Sequence, residues 1–396
     1  MGMASSKFIL KNLMLIGNPI ISALDLLDLA IQRNQNHWKN RNIPFLVLLK
    51  NKFKSTYPNL YLSDLYPCHN FELDHQLSTI PIINIQSNRS DELASVQLQK
   101  IILNKPSHIK FFTDGSVDGE GSAGFGVFSP EINYSYTSKL PKYTQICTAE
   151  IVAINHALQI ILKNGIKQAI ICSDSKSAIQ KIGRSTYSME TEHSSFMTKR
   201  GIIEAEENNV NISLAWIPGH SNIKGNMVAD KLANIGRTLN VAAGITLHYS
   251  NFLPDIKHSI WNRWKQEWQG KNRNNSFYSK IVGQIDKLPW YHNFAYQDRR
   301  HITTIIRMRT GHCATPVHLF RIGVKDNPYC DCGRVGSLNH LIFECPINMS
   351  PNFDLYKELA KTNIPTPIEI CLLMSNLNPR RINLILKFLN LAKLNL

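Results

Sequence analysis

The chain has 396 residues, enough for two or three domains with cores of their own. At 43% hydrophobic and 18% charged residues, most of it should be globular, and with no run of 18 apolar residues no membrane-spanning helix is expected. The formal charge of +15 is uneven: residues 1–105 hold 11 Lys/Arg and 7 Asp/Glu, residues 106–240 hold 13 and 12, and residues 241–396 hold 20 and 10. A basic C-terminal third beside a near-neutral middle points to a polyanionic partner, most often nucleic acid.

Residues 1–60 read as mainly helical, with "ISALDLLDLAIQ" periodic and "NRNIP" closing a segment. The first twenty residues are apolar but broken by Lys11, Asn12, Asn18 and Pro19, a poor signal peptide. Gly2 with Ser6 formally fits a lipidation pattern and is set aside. Residues 61–105 are mixed and rich in Pro and Asn, and they complete an N-terminal helical or connecting region over 1–105. No Asp-Asp pair occurs, so a polymerase-type dyad is absent.

Residues 106–240 alternate. "KFFTDGSVDGEGSAGFGVF" reads as an apolar strand ending in an Asp-Gly-Ser turn, followed by a Gly-rich return strand. "INYSYTS" is a third strand, "QICTAEIVAINHALQIILKNG" a helix closed by Gly165, and "KQAIICS" a buried strand. "DSKSAIQKIG" is a short helix capped by Asp174 or Ser175. A helix over 191–208, the strand "NISLAWIP" and the helix "GNMVADKLANIG" complete the segment. Antiparallel strands followed by alternating helix and strand predict an α/β fold, a mixed sheet with packed helices. Residues 241–396 read as a basic helical domain. In it Trp261, Trp264 and Trp268 share one helical face, a stripe that reads as core rather than as a base-stacking platform.

Four carboxylates stand out. Asp114 and Asp174 follow apolar strands, Glu150 breaks the apolar face of the first long helix, and Asp230 projects from the last helix. Taken singly, each has an ordinary explanation: a turn, an N-cap, a helix-dipole Glu, a solvated helix carboxylate. Taken together, they repel one another and call for cations, and oxygen-only ligands suit Mg²⁺ or Mn²⁺. Two such ions about 3.5–4 Å apart can activate water and steady a leaving oxygen in phosphodiester cleavage.

"FFTDGS", "TAEIVAINHAL", "ICSDSKSA" and "AWIPGHSNIKGNMVADKLA" resemble, in order and spacing, the four motif blocks of type 1 ribonuclease H. The resemblance implies a mixed five-stranded sheet and cleavage of the RNA strand of RNA–DNA hybrids. It implies that Asp114, Glu150, Asp174 and Asp230 hold two Mg²⁺ or Mn²⁺ ions, with His220 moving protons and releasing product. It also implies substrate contacts from the Gly115 and Ser116 backbone, with Asn226 at a further motif position. The Gly-rich return strand would let an RNA backbone come close. Two features depart from the family. Ile146 and Cys147 stand where polar residues are usual before the helix Glu, and no Lys- and Trp-rich helix lies between Asp174 and Trp216. With a near-neutral module, affinity for the hybrid falls to its flanks. A catalytically silent nucleic-acid-binding remnant and a DNA-cutting metal nuclease are the rival readings. The intact acids argue against the first, and the order Asp, Glu, Asp, Asp argues against the second.

Eight cysteines form no secreted-style framework, which fits a reducing, intracellular compartment. Cys330, Cys332, His340 and Cys345 offer three thiolates and an imidazole, a closed Zn²⁺ set, against a reading as ordinary thiols near a helix. Upstream, Arg307 and Arg309 read as lying on one side of the chain, able to hold phosphates, while His312 and Cys313 are rival ligands or packing residues. The order "RMRTGH … CDCG … NHLIFECP" after such a nuclease module resembles the tail of non-LTR retrotransposon polyproteins of arthropod type. That resemblance implies a reverse transcriptase encoded upstream as partner, with residues 1–105 joining it to the nuclease.

Overall fold

The computed structural model describes residues 2–63, 82–84, 107–185, 190–219, 223–240, 243–270, 276–294, 298–362, 364–375 and 377–396. The chain divides into two compact units, Met1–Ile260 and Trp261–Leu396. The division falls at 260 rather than 240 because residues 247–260 bury their apolar side chains within the first unit.

The first unit opens with helices α1 (Gly2–Leu13), α2 (Pro19–Arg33), α3 (Gln35–Trp38) and α4 (Phe45–Thr56). A short strand β1 (Ile82–Asn84) follows, then β2 (Ile109–Val117), β3 (Ala123–Ser129) and β4 (Tyr134–Leu140). Helix α5 (Ile146–Lys163), β5 (Gln168–Ser173), α6 (Lys176–Arg184), α7 (His193–Glu207), β6 (Asn211–Trp216) and α8 (Lys224–Thr238) complete the module. The sheet order is β1-β6-β5-β2-β3-β4. Strands β2, β3 and β4 are antiparallel, while β2, β5 and β6 run parallel. The expected five-stranded mixed sheet is therefore present. It carries a sixth strand, because β1 pairs parallel with β6, opposing Ile82 to Leu214.

Alternate residues of β2 supply two cores. Phe111 joins Ile151, Ile154 and Leu158 of α5 on one face, and Phe112 joins Ile170, Cys172 and Ala229 on the other. Helix α5 is long and apolar enough to pass as a membrane span, but it is the core helix of this module. The glycines of β3 serve that packing. A Cβ on Gly126 would stand 2.4 Å from the Ala229 carbonyl oxygen, and one on Gly124 would stand 2.4 Å from the Arg237 nitrogen. They admit helix α8 onto the sheet, not an RNA backbone, which corrects the expectation drawn from the sequence.

Ile9 and Leu10 of α1, Phe53 of α4 and Tyr57 form a further core with Leu247, Tyr249, Phe252 and Ile256. Tyr57 donates to Asp255 Oδ2 at 2.9 Å. The N-terminal helices and the segment after α8 thus fold as one piece.

Helix α9 (Leu253–Gly270) carries the division between the units. The second unit continues with α10 (Phe277–Ile281), α11 (Arg299–Thr310), α12 (Pro316–Arg321), α13 (Met349–Ala360), α14 (Ile370–Ser375) and α15 (Pro379–Leu391). Its core gathers Ile305, Met308, Leu341, Leu359, Leu373 and Ile385. Trp264 is 51% exposed and Trp261 and Trp268 are half-buried, so the tryptophan stripe is not core.

Candidate active site

Strand β2 does not end at Asp114. It continues to Val117, and the turn lies at Asp118–Gly121, where Gly121 takes φ +84° and Asp118 Oδ1 accepts from Glu120 N and Ser122 N. What ends at Asp114 is the parallel pairing, since Thr113 opposite Ser173 is the last register pair with β5. Beyond that point no described strand pairs with β2 on that side, and the Gly115 backbone N–H favours the charged forms of the Asp114 and Glu150 carboxylates. Gly115 is required here, because a Cβ would stand 2.6 Å from the Glu150 nitrogen. It is the contact that lets α5 approach β2.

Glu150 is 4% exposed, so it is not a frayed N-terminal residue. Ser173 Oγ lies 3.5 Å from its Oε2. Asp174 follows β5 but does not cap α6, because Ser175 Oγ accepts from Ala178 N at 3.3 Å. This frees the Asp174 carboxylate, whose Oδ2 accepts from Asn226 Nδ2 at 3.1 Å, while its backbone oxygen accepts from Trp216 Nε1 at 2.9 Å. Carboxylate oxygens of Asp114, Glu150 and Asp174 lie within 4.8 Å of one another. Asp230 is exposed and stands outside that set, with Asn234 Nδ2 donating to its Oδ1 at 3.0 Å. Its charge is nevertheless felt at Asp114. His220 lies outside the described residues.

The electrostatics are those of crowded acids. Burial, then the charges of Asp174 and Asp230, push the Asp114 carboxyl up to about 7. Burial, then Asp114 and Asp174, push Glu150 well above the ordinary carboxylate range. Among the described residues, the favourable partners of both groups are hydrogen-bond donors, Gly115 N–H and, at Glu150, Ser173. An all-oxygen cluster short of positive charge fits a hard divalent cation. The Asp114 carboxyl sits near 7 when folded and at the ordinary 3.8 when unfolded. Between these values the native state keeps a proton that the unfolded chain has lost, so stability falls as pH rises through this window. With no divalent cation added, thermal unfolding of the wild type should occur at lower temperature at about pH 8 than at about pH 5. Asp114→Asn should flatten that dependence, and Mg²⁺ should offset it in the wild type. An equal pH dependence in both proteins would remove Asp114 as its source.

Asn226, expected at a substrate position, also holds Asp174. Two supporting features were not read from the sequence. Asn234 joins Asp230 to Ser116, whose hydroxyl donates to Asn234 Oδ1 at 2.9 Å, and Arg237 Nη2 donates to the same oxygen at 2.8 Å. Its place four residues after Asp230 was the available signal. At the start of α5, Gln145 N donates to Asn251 Oδ1 at 2.9 Å, and Thr148 Oγ1 lies 2.5 Å from Glu192 Oε1. No sequence pattern announces that pairing across about a hundred positions.

In the second unit, Cys330, Cys332, His340 and Cys345 place one ligand atom each within 4.8 Å of the others. Cys330 Sγ and Cys345 Sγ are 3.7 Å apart, too long for a disulfide and close to the roughly 3.8 Å edge of a tetrahedron with Zn–S bonds of about 2.3 Å. Cys332 Sγ is 3.1 Å from His340 Nε2. A tight turn holds the pair Cys330 and Cys332, with Gly333 at φ +84°. The set fits Zn²⁺. Cys313 is buried in the core, away from this group. Arg307 and Arg309 do not share a side: two positions apart on α11, Arg307 is exposed and Arg309 is buried, donating to the Met374 carbonyl.

The mixed sheet's central strand delivers one acid, beside a helix and a second strand that deliver two more. Residues 106–238 match the RNase H family and form an RNase H domain. Among solved structures, RNase H1 from the halophilic archaeon Halobacterium salinarum NRC-1 is similar, at 18% identity and a TM-score of 0.27, covering 33% of this chain and 96% of that one. No curated protein matches the chain. An RNase H domain implies a nucleic-acid substrate.

Proposed function

We propose that this protein hydrolyses the RNA strand of RNA–DNA hybrids in a divalent-cation-dependent reaction, with Asp114, Glu150, Asp174 and Asp230 as the cation-holding carboxylates. The observation that supports this reading best is the meeting of Asp114, Glu150 and Asp174 within 4.8 Å inside an RNase H domain. When bound, Mg²⁺ or Mn²⁺ would supply charge neutralisation at the scissile phosphate and activation of water. The chain's own groups set the geometry. Asn226 and Trp216 fix Asp174 from two sides, Ser173 and Gly115 orient Glu150, and Asn234 restrains Asp230. His220, six residues before Asn226, is the residue we assign to proton movement and product release. Cys330, Cys332, His340 and Cys345 would hold a structural Zn²⁺, and the basic region around them would add phosphate contacts. The motif order through this cluster supports descent from a retrotransposon polyprotein, with an upstream reverse transcriptase as partner.

The test is cleavage of a labelled RNA–DNA hybrid beside matched double-stranded RNA and double-stranded DNA. Cutting of the RNA strand of the hybrid should require Mg²⁺ or Mn²⁺ and leave 3′-hydroxyl and 5′-phosphate ends, because the 3′ oxygen leaves when water attacks in line. Products ending in 2′,3′-cyclic phosphate would show attack by the RNA's own hydroxyl and overturn the reading.

A further inference from the structure

The second unit contains a cavity of about 430 Å³ that the nuclease reading does not use. Its walls include Trp264, Trp268, Tyr278, Trp290, Tyr291 and Arg309. That size falls within the ~300–1,000 Å³ typical of small-ligand sites. Five aromatic rings around one recess is a costly arrangement to leave half wet. Trp264 is 51% exposed and Tyr291 is 40% exposed, although burying such rings is a main source of core stability. The rings meet edge to face, Trp268 on Tyr278 at 76° and Trp290 on Tyr291 at 89°, so neither pair is stacked face to face. Arg309 is 5% exposed, and its guanidinium lies 5.1 Å from the Trp290 ring and 5.9 Å from that of Tyr278.

The chemistry of the walls selects the guest. Aromatic recesses accept either organic cations or flat aromatic groups. A buried guanidinium in the wall opposes a cation, and Asp286 at the lining is balanced by Lys287. The unit that carries the recess holds 19 Lys/Arg against 9 Asp/Glu, a net of +10. A flat aromatic group attached to a polyanion satisfies both features, and an unpaired nucleobase of a single strand is such a group. The bases of a duplex are stacked and cannot enter.

We infer that this recess is a stacking site for an unpaired base of single-stranded RNA or DNA, separate from the carboxylate cluster and independent of hydrolysis. The experiment uses the full chain with no divalent cation added. Binding of labelled oligothymidylate and oligouridylate is followed by anisotropy and by quenching of tryptophan fluorescence. Trp264→Ala is the informative variant, because an indole this exposed contributes little to folding; unchanged thermal unfolding checks that. It should weaken binding about tenfold by loss of stacking, and equally at low and high salt, because no phosphate contact is removed. Trp264→Phe should recover most of the affinity. Unchanged affinity in Trp264→Ala, or displacement of the strand by tetramethylammonium chloride at concentrations where sodium chloride has no effect, would each overturn the inference. Hybrid cleavage by the same variant should be unaltered, so failure here leaves the nuclease reading standing, and the reverse holds.

Discussion

Asp174→Asn should lower hybrid cleavage on the order of 10³-fold or more while leaving the unfolding temperature unchanged or slightly raised. The contrast follows from what Asp174 does and does not hold. It does not cap α6, a task that falls to Ser175, and its link to Trp216 runs through the backbone oxygen, which the substitution keeps. The Asn226 contact also survives, since an amide oxygen can accept from Nδ2 as the carboxylate does. What disappears is one negative charge beside Asp114 and Glu150. That loss removes a cation ligand and relieves repulsion in a cluster whose other acids are already driven toward protonation. Near-native turnover in Asp174→Asn, measured with saturating Mg²⁺, would end the assignment of the acids.

The second large effect is expected at the cysteine cluster. Purified protein should contain one zinc per chain, and Cys332→Ser should lose it. Cys332 is the ligand to change because it is more exposed than Cys345 and stands outside the packed core, so its loss reports on the metal rather than on a cavity. Structural zinc contributes about 10–16 kcal/mol in small finger peptides, where binding and folding are one event. Here an independent core exists, so the unfolding transition of residues 261–396 should fall by more than about 10 °C rather than vanish. A closed four-ligand site has no open position for water, and hybrid cleavage should persist. Absence of zinc from the wild-type protein, measured by elemental analysis, would sink the assignment.

What could be read from the sequence was what local pattern encodes. Glu150 was visible because it interrupts an apolar face, and its burial beside two other acids follows from that interruption. The order of strands and helices from Ile109 to Thr238 was visible in periodicity. The errors came where an identical local pattern serves two geometries. Asp-Gly-Ser suits a turn, yet Gly115 is needed inside β2 because α5 presses on it. The glycines of β3 look like room for a ligand, yet they make room for α8. Alternating arginines look one-sided until α11 turns them apart, and a tryptophan stripe looks like core until Trp264 is found half in solvent. The union of residues 1–63 with 247–260 was out of reach, because long-range pairing leaves no periodic trace in either segment.

The strand β1 has a practical meaning for anyone trimming this protein. It lies against Leu214–Trp216 of β6, so the family-matched stretch 106–238 carries one sheet edge that none of its described strands pairs with. Released from the N-terminal region, that fragment would offer the amides and carbonyls of an apolar strand, Ile212 and Leu214 among its residues, to any other extended chain. It would also lose Asn251, which anchors the start of the helix that bears Glu150. Self-association and a loosened carboxylate would then mimic an inactive enzyme. A fragment that keeps β1 and Asn251 with the module runs from the N-terminal helices through at least Ile260, within α9.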